Sequence, residues 1–309
     1  MNGLSAFFKL VRWPNLAFIA LTQMLFRFFI LRFVYTNGAA HIENIKVSLP
    51  LFYCLVFASV CIAAAGYIIN DYFDVNIDIV NKPSKIIVGR YIKRRWAIVL
   101  HIVLSFLGFA MSCYVGYKLR NMYVPVCNLL AIVALWFYST TFKKKLLIGN
   151  ILISLLTAWV ILVLTVSEYR FSIAYEDIYW KRLIKLSFIY AGFAFIISLI
   201  REVIKDLEDM PGDAKFGCTT MPIVWGVQVS KVFVAVWVVV VIGVAAGIQI
   251  YVVHLGWWFS ALYSLLAIII PLMWVLRQLY FAHASKDFHR LSTVIKIIML
   301  AGILSMIFF

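Results

Sequence analysis

Long apolar runs separated by short polar segments dominate the pattern of the chain. Each run is continuously apolar over about 20 residues, the length of helix that crosses a ~30 Å hydrocarbon core. Strands of a membrane barrel would instead alternate apolar and polar positions. We therefore predict an all-α, polytopic membrane protein with nine transmembrane helices, and a single transmembrane domain over residues 1–309. The nine predicted spans are Leu16 to Phe33, Ser48 to Asn70, Ala97 to Tyr117, Tyr123 to Thr141, Leu146 to Val166, Leu183 to Ile200, Val229 to Val253, Trp257 to Leu276 and Leu291 to Phe309.

The composition and charge of the chain agree with a membrane protein. Hydrophobic residues make up 65% of the chain, well above the roughly half that is usual in a soluble domain. A net charge of +15 would suit nucleic acid, but membrane proteins concentrate Lys and Arg in their cytoplasmic loops. Most of the basic residues lie in the amino-terminal segment and in alternate loops. We therefore predict membrane lipid and no nucleic acid as a partner, a multi-pass protein of a bacterial or archaeal cell membrane, a cytoplasmic amino terminus, cytoplasmic motif loops and an outside carboxyl terminus.

The acidic residues gather in two short stretches. Residues 70–78 and 206–213 hold seven of the 13 acidic residues of the chain. Within each stretch, three aspartates follow spacings of three and four residues, which places them on one face of a helix. Pro211 and Gly212 are expected to end the second of these helices, so that Asp213 would reach the cluster from the following loop.

Aspartates at the carboxyl ends of helices need cations nearby. A negative charge at that end of a helix is unfavourable by about 0.3–1 kcal/mol, and like charges one turn apart repel. Mg²⁺ suits such a site, because it is commonly held by one or two carboxylates together with substrate phosphates. Two facing clusters would then hold metal ions that bridge to a diphosphate. The alternatives are solvated helix ends paired with lysines, and an ion-coupled transporter, although coupling carboxylates usually lie near the bilayer midplane.

The motifs of the chain resemble those of the UbiA-type superfamily of membrane prenyltransferases. Its NDxxDxxxD signature is present as Asn70, Asp71, Asp74 and Asp78, and its DxxxD element as Asp209 and Asp213. Further similar segments are Arg12 with Pro14, Asn15 and Leu16; Asn81 to Lys85; Tyr138 with Lys143 to Lys145, Gly149 and Asn150; and Gly217 to Pro222.

The resemblance implies a fold and an activity. It implies nine helices around a central cavity, and Mg²⁺-dependent transfer of a prenyl group of the geranylgeranyl type from a prenyl diphosphate to a lipophilic acceptor, which we expect to be a prenylglyceryl phosphate. Residues 201–213 are most similar to the branch that prenylates geranylgeranylglyceryl phosphate in archaeal ether-lipid synthesis. Residues 85–90 depart from the Arg-Pro-rich stretch of that branch, so an aromatic acceptor of quinone or haem biosynthesis remains the alternative.

The resemblance and the residue chemistry together define the predicted site. The predicted catalytic residues are Asn70, Asp71, Asp74, Asp78, Asp206, Asp209 and Asp213. One Mg²⁺ is assigned to Asn70, Asp74 and Asp78, with Asp71 in support, and another to Asp206, Asp209 and Asp213. The predicted substrate-binding residues are Asn15, Arg27, Lys82, Tyr138, Lys143, Lys144 and Asn150.

Three parts of the chain outside the aspartate motifs also receive an interpretation. Arg27 lies deep in the first span and needs a cavity or a partner unless it extends to the surface, so we predict that it binds an anionic acceptor. The lysines at 143–145 also fit a determinant of membrane topology. The loop from Ser167 to Arg182 is interpreted as an interfacial segment without chemistry.

Overall fold

The fold is a set of long helices joined by short loops. The computed structural model describes residues 3–36, 45–169 and 178–309, and within these ranges every regular element is a helix apart from one β-bridge between Val88 and Ile92. The helices are α1 (Gly3–Leu10), α2 (Trp13–Thr36), α3 (Leu49–Asn81), α4 (Arg94–Leu119), α5 (Tyr123–Thr140), α6 (Ile148–Glu168), α7 (Ile178–Lys215), α8 (Met221–Val224), α9 (Gly226–His254), α10 (Trp258–Phe281) and α11 (Ser285–Phe308).

Nine of the helices in the described ranges are long and apolar enough to cross a membrane, namely α2 to α7 and α9 to α11. The all-α class and the nine predicted spans are confirmed. Two helices extend well beyond the apolar runs that predicted them. Helix α3 continues past Asn70 to Asn81, and α7 continues past Ile200 to Lys215. The extension of α3 carries the first aspartate trio, which is Asp71, Asp74 and Asp78, and the extension of α7 carries the second, which is Asp206, Asp209 and Asp213. Each trio therefore lies on a continuous helix and spans an arc of about 60° at 3.6 residues per turn.

The chain divides into two compact units, residues 1–143 with 159–188, and residues 144–158 with 189–309. The prediction of one domain over 1–309 stays a prediction. In the first unit, Ala6 and Leu10 of α1 pack with Ala64 and Ile68 of α3. This contact holds the amino-terminal segment against α3, the helix that carries the first aspartate trio.

Helices α3 and α4 approach each other closely in the first unit because small residues line their contact. A Cβ atom added at Gly108 of α4 would come within 2.7 Å of Ile62 and 3.1 Å of the carbonyl oxygen of Ala58. Small residues at such contacts are typical of helices packed within membranes, where close van der Waals contact replaces the hydrophobic effect.

Helix α7 orients the second aspartate trio through its apolar face. Residues such as Ile200, Ile204 and Leu207 are buried in a core shared with α9, α10 and α11. These positions lie roughly opposite the trio at 100° of rotation per residue. Burial of the apolar stripe therefore directs Asp206, Asp209 and Asp213 to the other side of the helix.

The expected end of α7 at Pro211 and Gly212 is wrong, because the helix continues to Lys215 with Pro211 inside it. The terminating residue is Gly217, which has a φ of 69°. The backbone N–H of Cys218 donates to the carbonyl of Asp213 at 3.0 Å, and that of Gly217 donates to Ala214 at 3.3 Å. A left-handed glycine with these bonds satisfies the last carbonyls of a helix. Asp213 is thus a helical residue rather than a loop residue.

Candidate active site

Asp74 is the centre of the first aspartate trio. Its side chain is buried, and its Oδ2 atom accepts hydrogen bonds from Asn70 Nδ2 at 2.7 Å and from the ammonium group of Lys143. Asn70 lies one turn earlier on α3, and Lys143 comes from the loop after α5. An isolated carboxylate would be costly at this depth of burial, so the cation compensates for its desolvation.

Lys143 lies in the short loop after α5, and its ammonium group is surrounded by residues of the predicted site. Burial lowers its pKa, but the negative charge of Asp74, the hydrogen bond to Asp74 and the charge of Asp78 together raise it by more, so the pKa of Lys143 lies above its usual range. The side chain is therefore a permanent cation. Lys143, which was predicted to bind substrate, therefore lies at the first trio, and Tyr138, with the same predicted role, lies near Lys143.

Arg12 supplies a second cation to the same trio. Its Nη2 atom donates to Asp71 Oδ1 at 2.6 Å, and its guanidinium lies 5.2 Å from the centre of the Tyr67 ring. Burial lowers the pKa of Arg12, but the charge of Asp71 and the hydrogen bond to it raise the pKa by more, to above its usual range. The backbone of Arg12 is left-handed, with a φ of 52°. Such a conformation costs a non-glycine residue about 1–3 kcal/mol and is frequent at functional sites. The sharp turn between α1 and α2 is what directs Arg12 toward α3.

The second trio is built on α7 in the other unit. Asp206 Oδ2 accepts a hydrogen bond at 2.8 Å from Asn150 Nδ2, and Asn150 is a buried residue near the start of α6. Asp213 is buried and Asp209 is half-buried. Asn150, which was predicted to bind substrate, therefore orients one carboxylate of the second trio.

Glu208 faces away from the trio despite lying between Asp206 and Asp209 in sequence. It is buried and its Oε1 atom lies 2.9 Å from His289 Nδ1, while its carbonyl accepts from the hydroxyl of Ser285 at 2.9 Å. These contacts fix the end of α7 to the start of α11. They explain why one acidic residue of the stretch belongs to the scaffold.

Lys144 of the lysine loop is hydrogen-bonded to the segment that follows α7. The backbone N–H and the hydroxyl of Thr219 both donate to the carbonyl of Lys144, at 2.7 Å and 2.9 Å. The side chain of Lys144 is exposed, that of Lys82 is half-buried at the end of α3, and Asn15 is half-buried in the first turn of α2. The substrate-binding roles of these three residues stay predictions.

The aromatic residues near the first motif differ in their surroundings. The face of Tyr67 contacts Arg12, and that of Tyr72 lies 4.9 Å from the guanidinium carbon of Arg94. Phe73 and Trp136 pack edge to face at 6.0 Å and are both exposed. Tyr67 is therefore the ring most directly associated with the trio, through Arg12.

Arg27 of α2 is bonded within the protein, near the start of α3 and far from the first aspartate trio. Its side chain is buried in a π-helical turn of α2, donates to the carbonyl of Val47 at 2.6 Å and lies 3.4 Å from Glu168 Oε1. Its guanidinium also lies 5.7 Å from the ring centre of Phe52. At 1.5 Å per residue, Phe52 and Asp74 are about 33 Å apart along α3. The binding of an anionic acceptor by Arg27 stays a prediction.

Glu168 is not at an interface, although the segment from Ser167 to Arg182 was predicted to be interfacial. Its carboxylate is buried and also accepts from the backbone N–H groups of Lys46 at 2.8 Å and Val47 at 3.3 Å. Residues 170–177 of that segment lie outside the described residues. An interfacial charge would be solvated, whereas this one is the buried counter-ion of Arg27.

The residues of the first trio fit a magnesium ion in their chemistry. The Oδ1 atom of Asn70 is buried without a hydrogen-bond partner beside Asp74, and an unpaired buried oxygen calls for a ligand. In the described part of the chain, no three Asp, Glu, His or Cys side chains converge closely enough to enclose a metal. Oxygen ligands without a closed cage are what Mg²⁺ uses when substrate phosphates and water complete its shell.

The fold and these two sites define the class of protein: a multi-pass membrane enzyme with two sets of aspartates, the first of which is held by fixed cations. The profile of the UbiA prenyltransferase family matches residues 16–300. The chain therefore belongs to the UbiA prenyltransferase family, is an integral multi-pass membrane protein, and is a prenyltransferase.

Individual relatives agree with the family. A digeranylgeranylglyceryl phosphate synthase of Sulfurisphaera tokodaii is 30% identical over 241 residues, which cover 77% of each chain. A solved structure described as a digeranylgeranylglyceryl phosphate synthase in membranes has a TM-score of 0.63 at 23% identity, with 99% of both chains covered. A UbiA homolog from Archaeoglobus fulgidus bound to GPP and Mg²⁺ has a TM-score of 0.57 at 13% identity, covering 97% of this chain and 99% of that one. The two structures show the same fold.

Sequence reasoning missed several partners of the site residues. Arg12 was part of the family resemblance but was not assigned to a carboxylate, and Glu168 was assigned no role. A buried Arg in a span is a signal that a buried acid exists elsewhere in the chain, but it does not indicate which one. The left-handed backbone of Arg12 leaves no trace in the sequence.

Proposed function

We propose that the chain transfers a prenyl group from a prenyl diphosphate to a prenylglyceryl phosphate, with Mg²⁺ as cofactor. The observation that carries the proposal is the first trio, where buried Asp74 is held by a permanent cation and the neighbouring oxygen of Asn70 lacks a partner. The acceptor follows from the relatives, which are named digeranylgeranylglyceryl phosphate synthases. The Archaeoglobus homolog bound to GPP and Mg²⁺ supports the donor and the metal.

The aspartate sets would hold the metal that the donor needs. Asn70, Asp74 and Asp78 would bind one Mg²⁺, and Asp206, Asp209 and Asp213 another, with Asp71 in support. When bound, Mg²⁺ supplies positive charge that orients the diphosphate and stabilises it as a leaving group. That both sets act on one diphosphate stays a prediction made from the sequence.

The cations of the chain would stabilise the charge that develops during transfer. The bond between the allylic carbon and the diphosphate oxygen breaks, and the electron pair leaves with the diphosphate. A glycerol hydroxyl of the acceptor then bonds to the allylic carbon and releases its proton. Lys143 and Arg12 lie at fixed positions beside the first trio, so they would need little reorganisation as the diphosphate departs. Asn150 would keep Asp206 oriented at the second trio.

The membrane orientation follows the distribution of basic residues. We propose a cytoplasmic amino terminus and cytoplasmic motif loops, because Lys and Arg concentrate in cytoplasmic loops. This orientation would expose both aspartate trios to the soluble prenyl diphosphate pool and to cytoplasmic Mg²⁺.

A membrane assay with a labelled prenyl diphosphate tests the proposal. The purified protein would receive Mg²⁺ and, in separate reactions, prenylglyceryl phosphate, 4-hydroxybenzoate, dihydroxynaphthoate or haem. We expect product with the glyceryl phosphate alone, loss of product on adding EDTA, and its return with excess Mg²⁺. Product with an aromatic acceptor only would overturn the acceptor, and proton-coupled solute uptake without any product would favour a transporter.

Variants of the trios test the residues. Asp74→Asn and Asp209→Asn should each reduce transfer by about 100-fold or more, the size of effect seen when a fixed charge-stabilising group is removed. Asp287→Asn is the matched control, because Asp287 caps α11 by accepting from the backbone N–H groups of His283 and Ala284, and Asn retains the capping oxygen. Full activity in Asp74→Asn or Asp209→Asn would refute the assignment.

A further inference from the structure

A pair of cations on α7 lies next to the second trio. Lys205 Nζ donates to both carboxylate oxygens of Glu202, at 3.1 Å and 2.8 Å, and Arg201 Nη1 donates to Glu202 Oε1 at 3.2 Å. Two positive charges thus share one negative charge. The group carries a net positive charge and follows a stretch of α7, Leu186 to Ile200, that has no charged residue.

These side chains extend the polar face of α7 toward the apolar part of the helix. At 100° per residue, Arg201 and Lys205 lie about 40° apart, and Asp209 lies about 40° beyond Lys205. Along the axis, Arg201 precedes Asp206 by about 7 Å at 1.5 Å per residue. The cations are therefore adjacent to the trio and displaced from it toward the interior of the span.

Arg201 has hydrogen-bonding capacity that the protein leaves unused. Its Nε atom is buried and has no hydrogen-bond partner. A guanidinium presents five N–H donors in a planar fork that matches carboxylate and phosphate oxygens. Ionisable residues inside membrane spans are costly and commonly mark substrate pathways. An anion placed against this fork would satisfy the buried N–H group.

We propose that Arg201, assisted by Lys205, binds the phosphate group of the acceptor. This inference rests on the proposed function and names the subsite that selects a phosphate-bearing acceptor. The reacting hydroxyl and the phosphate of a glyceryl phosphate are on neighbouring parts of a three-carbon unit, so the phosphate lies within a few bond lengths of the allylic carbon during transfer.

The position of Arg201 fits that requirement. The donor's diphosphate belongs at the aspartates, and its allylic carbon and apolar chain extend from there toward the hydrocarbon interior. Arg201 lies on that interior side of Asp206. Arg27 contacts Val47, just before the start of α3, and lies about 33 Å from Asp74 along the helix, so it is far from the first trio.

The decisive experiment compares two acceptors in Arg201→Gln. The acceptors are a prenylglyceryl phosphate and the same prenylglycerol ether without phosphate. We expect the variant to raise KM for the phosphate acceptor by about 10- to 100-fold, the loss typical of one charge-assisted hydrogen bond. KM for the prenyl diphosphate and the slow rate with the neutral ether should each change less than about 2-fold, because neither the donor nor the ether carries the phosphate group that Arg201 binds.

Two further variants control for charge and folding. Arg290→Gln removes an exposed arginine that stacks on Trp274 at 5.2 Å and should leave both acceptors unaffected. Arg201→Lys keeps the charge but loses the fork, so it should raise KM for the phosphate acceptor by a smaller factor. If Arg201→Gln does not fold, as judged by size-exclusion chromatography, Arg201→Lys decides the question.

The outcomes separate the subsite from the proposed function. Unchanged discrimination between the two acceptors in Arg201→Gln, or in Arg201→Lys where only that variant folds, overturns the inference while transfer to the phosphate acceptor stands. An equal loss with both acceptors also overturns it, because it would place Arg201 in donor binding. Absence of transfer to the phosphate acceptor in the wild-type protein refutes the proposed function itself.

Discussion

Replacing Glu168 by Gln should destabilise the protein strongly without affecting its chemistry. Glu168 is almost fully buried and is the counter-ion of Arg27, which is also buried. Its carboxylate accepts from the backbone N–H groups of Lys46 and Val47 as well. Gln preserves the shape of the side chain but removes its charge. Its NH2 group also replaces one carboxylate oxygen, so a donor would face the N–H groups that this oxygen accepts from in the wild type.

The expected magnitude follows from the burial of both partners. Removing one member of a buried ion pair typically costs about 3–5 kcal/mol, because the remaining charge is left uncompensated. The separation of 3.4 Å and the oxygen that Gln retains favour the lower end, about 3 kcal/mol. For a chain of 309 residues, an unfolding entropy of about 2.1 cal/mol/K per residue means that 1 kcal/mol shifts the melting temperature by roughly 1.5 °C. The midpoint should therefore fall by about 5 °C.

Thermal unfolding in detergent measures this shift, and a double-mutant cycle assigns it to the pair. Arg27→Met with Glu168→Met should recover much of the loss, since two apolar residues often replace a buried pair at little cost. Arg32→Met, at an exposed position of the same helix, should stay within about 0.5 kcal/mol of the wild type. A shift of Glu168→Gln below about 2 °C, or strictly additive single variants, would refute the reasoning.

The same variants test the predicted role of Arg27 in acceptor binding. The pair lies about 33 Å along α3 from Asp74. We therefore expect KM for the acceptor, measured per folded molecule, to be unchanged in the double variant. A raised KM for the acceptor alone would assign Arg27 to the acceptor after all.

Two further predictions concern the lysine loop and the end of α7. Lys143→Gln should lower kcat/KM for the donor by about 10- to 100-fold, because it removes one charge-assisted contact worth about 1.5–3 kcal/mol. The control Lys145→Gln, at an exposed position, should have little effect. Equal losses of kcat/KM for the two variants in steady-state assays would contradict this prediction. Gly217→Ala should destabilise the protein by about 1–2 kcal/mol through its left-handed backbone, whereas Gly192→Ala should be neutral or stabilising. A Cβ atom meets no neighbour within 4 Å at either glycine, so equal melting temperatures would refute the backbone explanation.

The apolar runs predicted the number and type of the helices because membrane spans must satisfy all backbone hydrogen bonds internally. They did not predict where α3 and α7 end. Hydropathy reports which side chains tolerate lipid, whereas helix length depends on backbone hydrogen bonds and on capping. The sequence predicts that α7 ends at Pro211 and Gly212, but the carbonyls of its last turn accept from the N–H groups of Gly217 and Cys218. The left-handed backbone of Gly217 and these local hydrogen bonds place the helix end after Gly212.

The sequence by itself determined the nine helices, the two aspartate trios and the shared face of each trio, because these follow from hydropathy and from spacings within seven residues. Only the tertiary structure decided which cations hold which carboxylates. Asp71 pairs with Arg12 across 59 residues, Asp74 with Lys143 across 69, and Glu168 with Arg27 across 141. Electrostatic pairing depends on distances in space, and helix packing sets those distances. A buried charge needs a partner, but the sequence does not reveal which distant residue provides it.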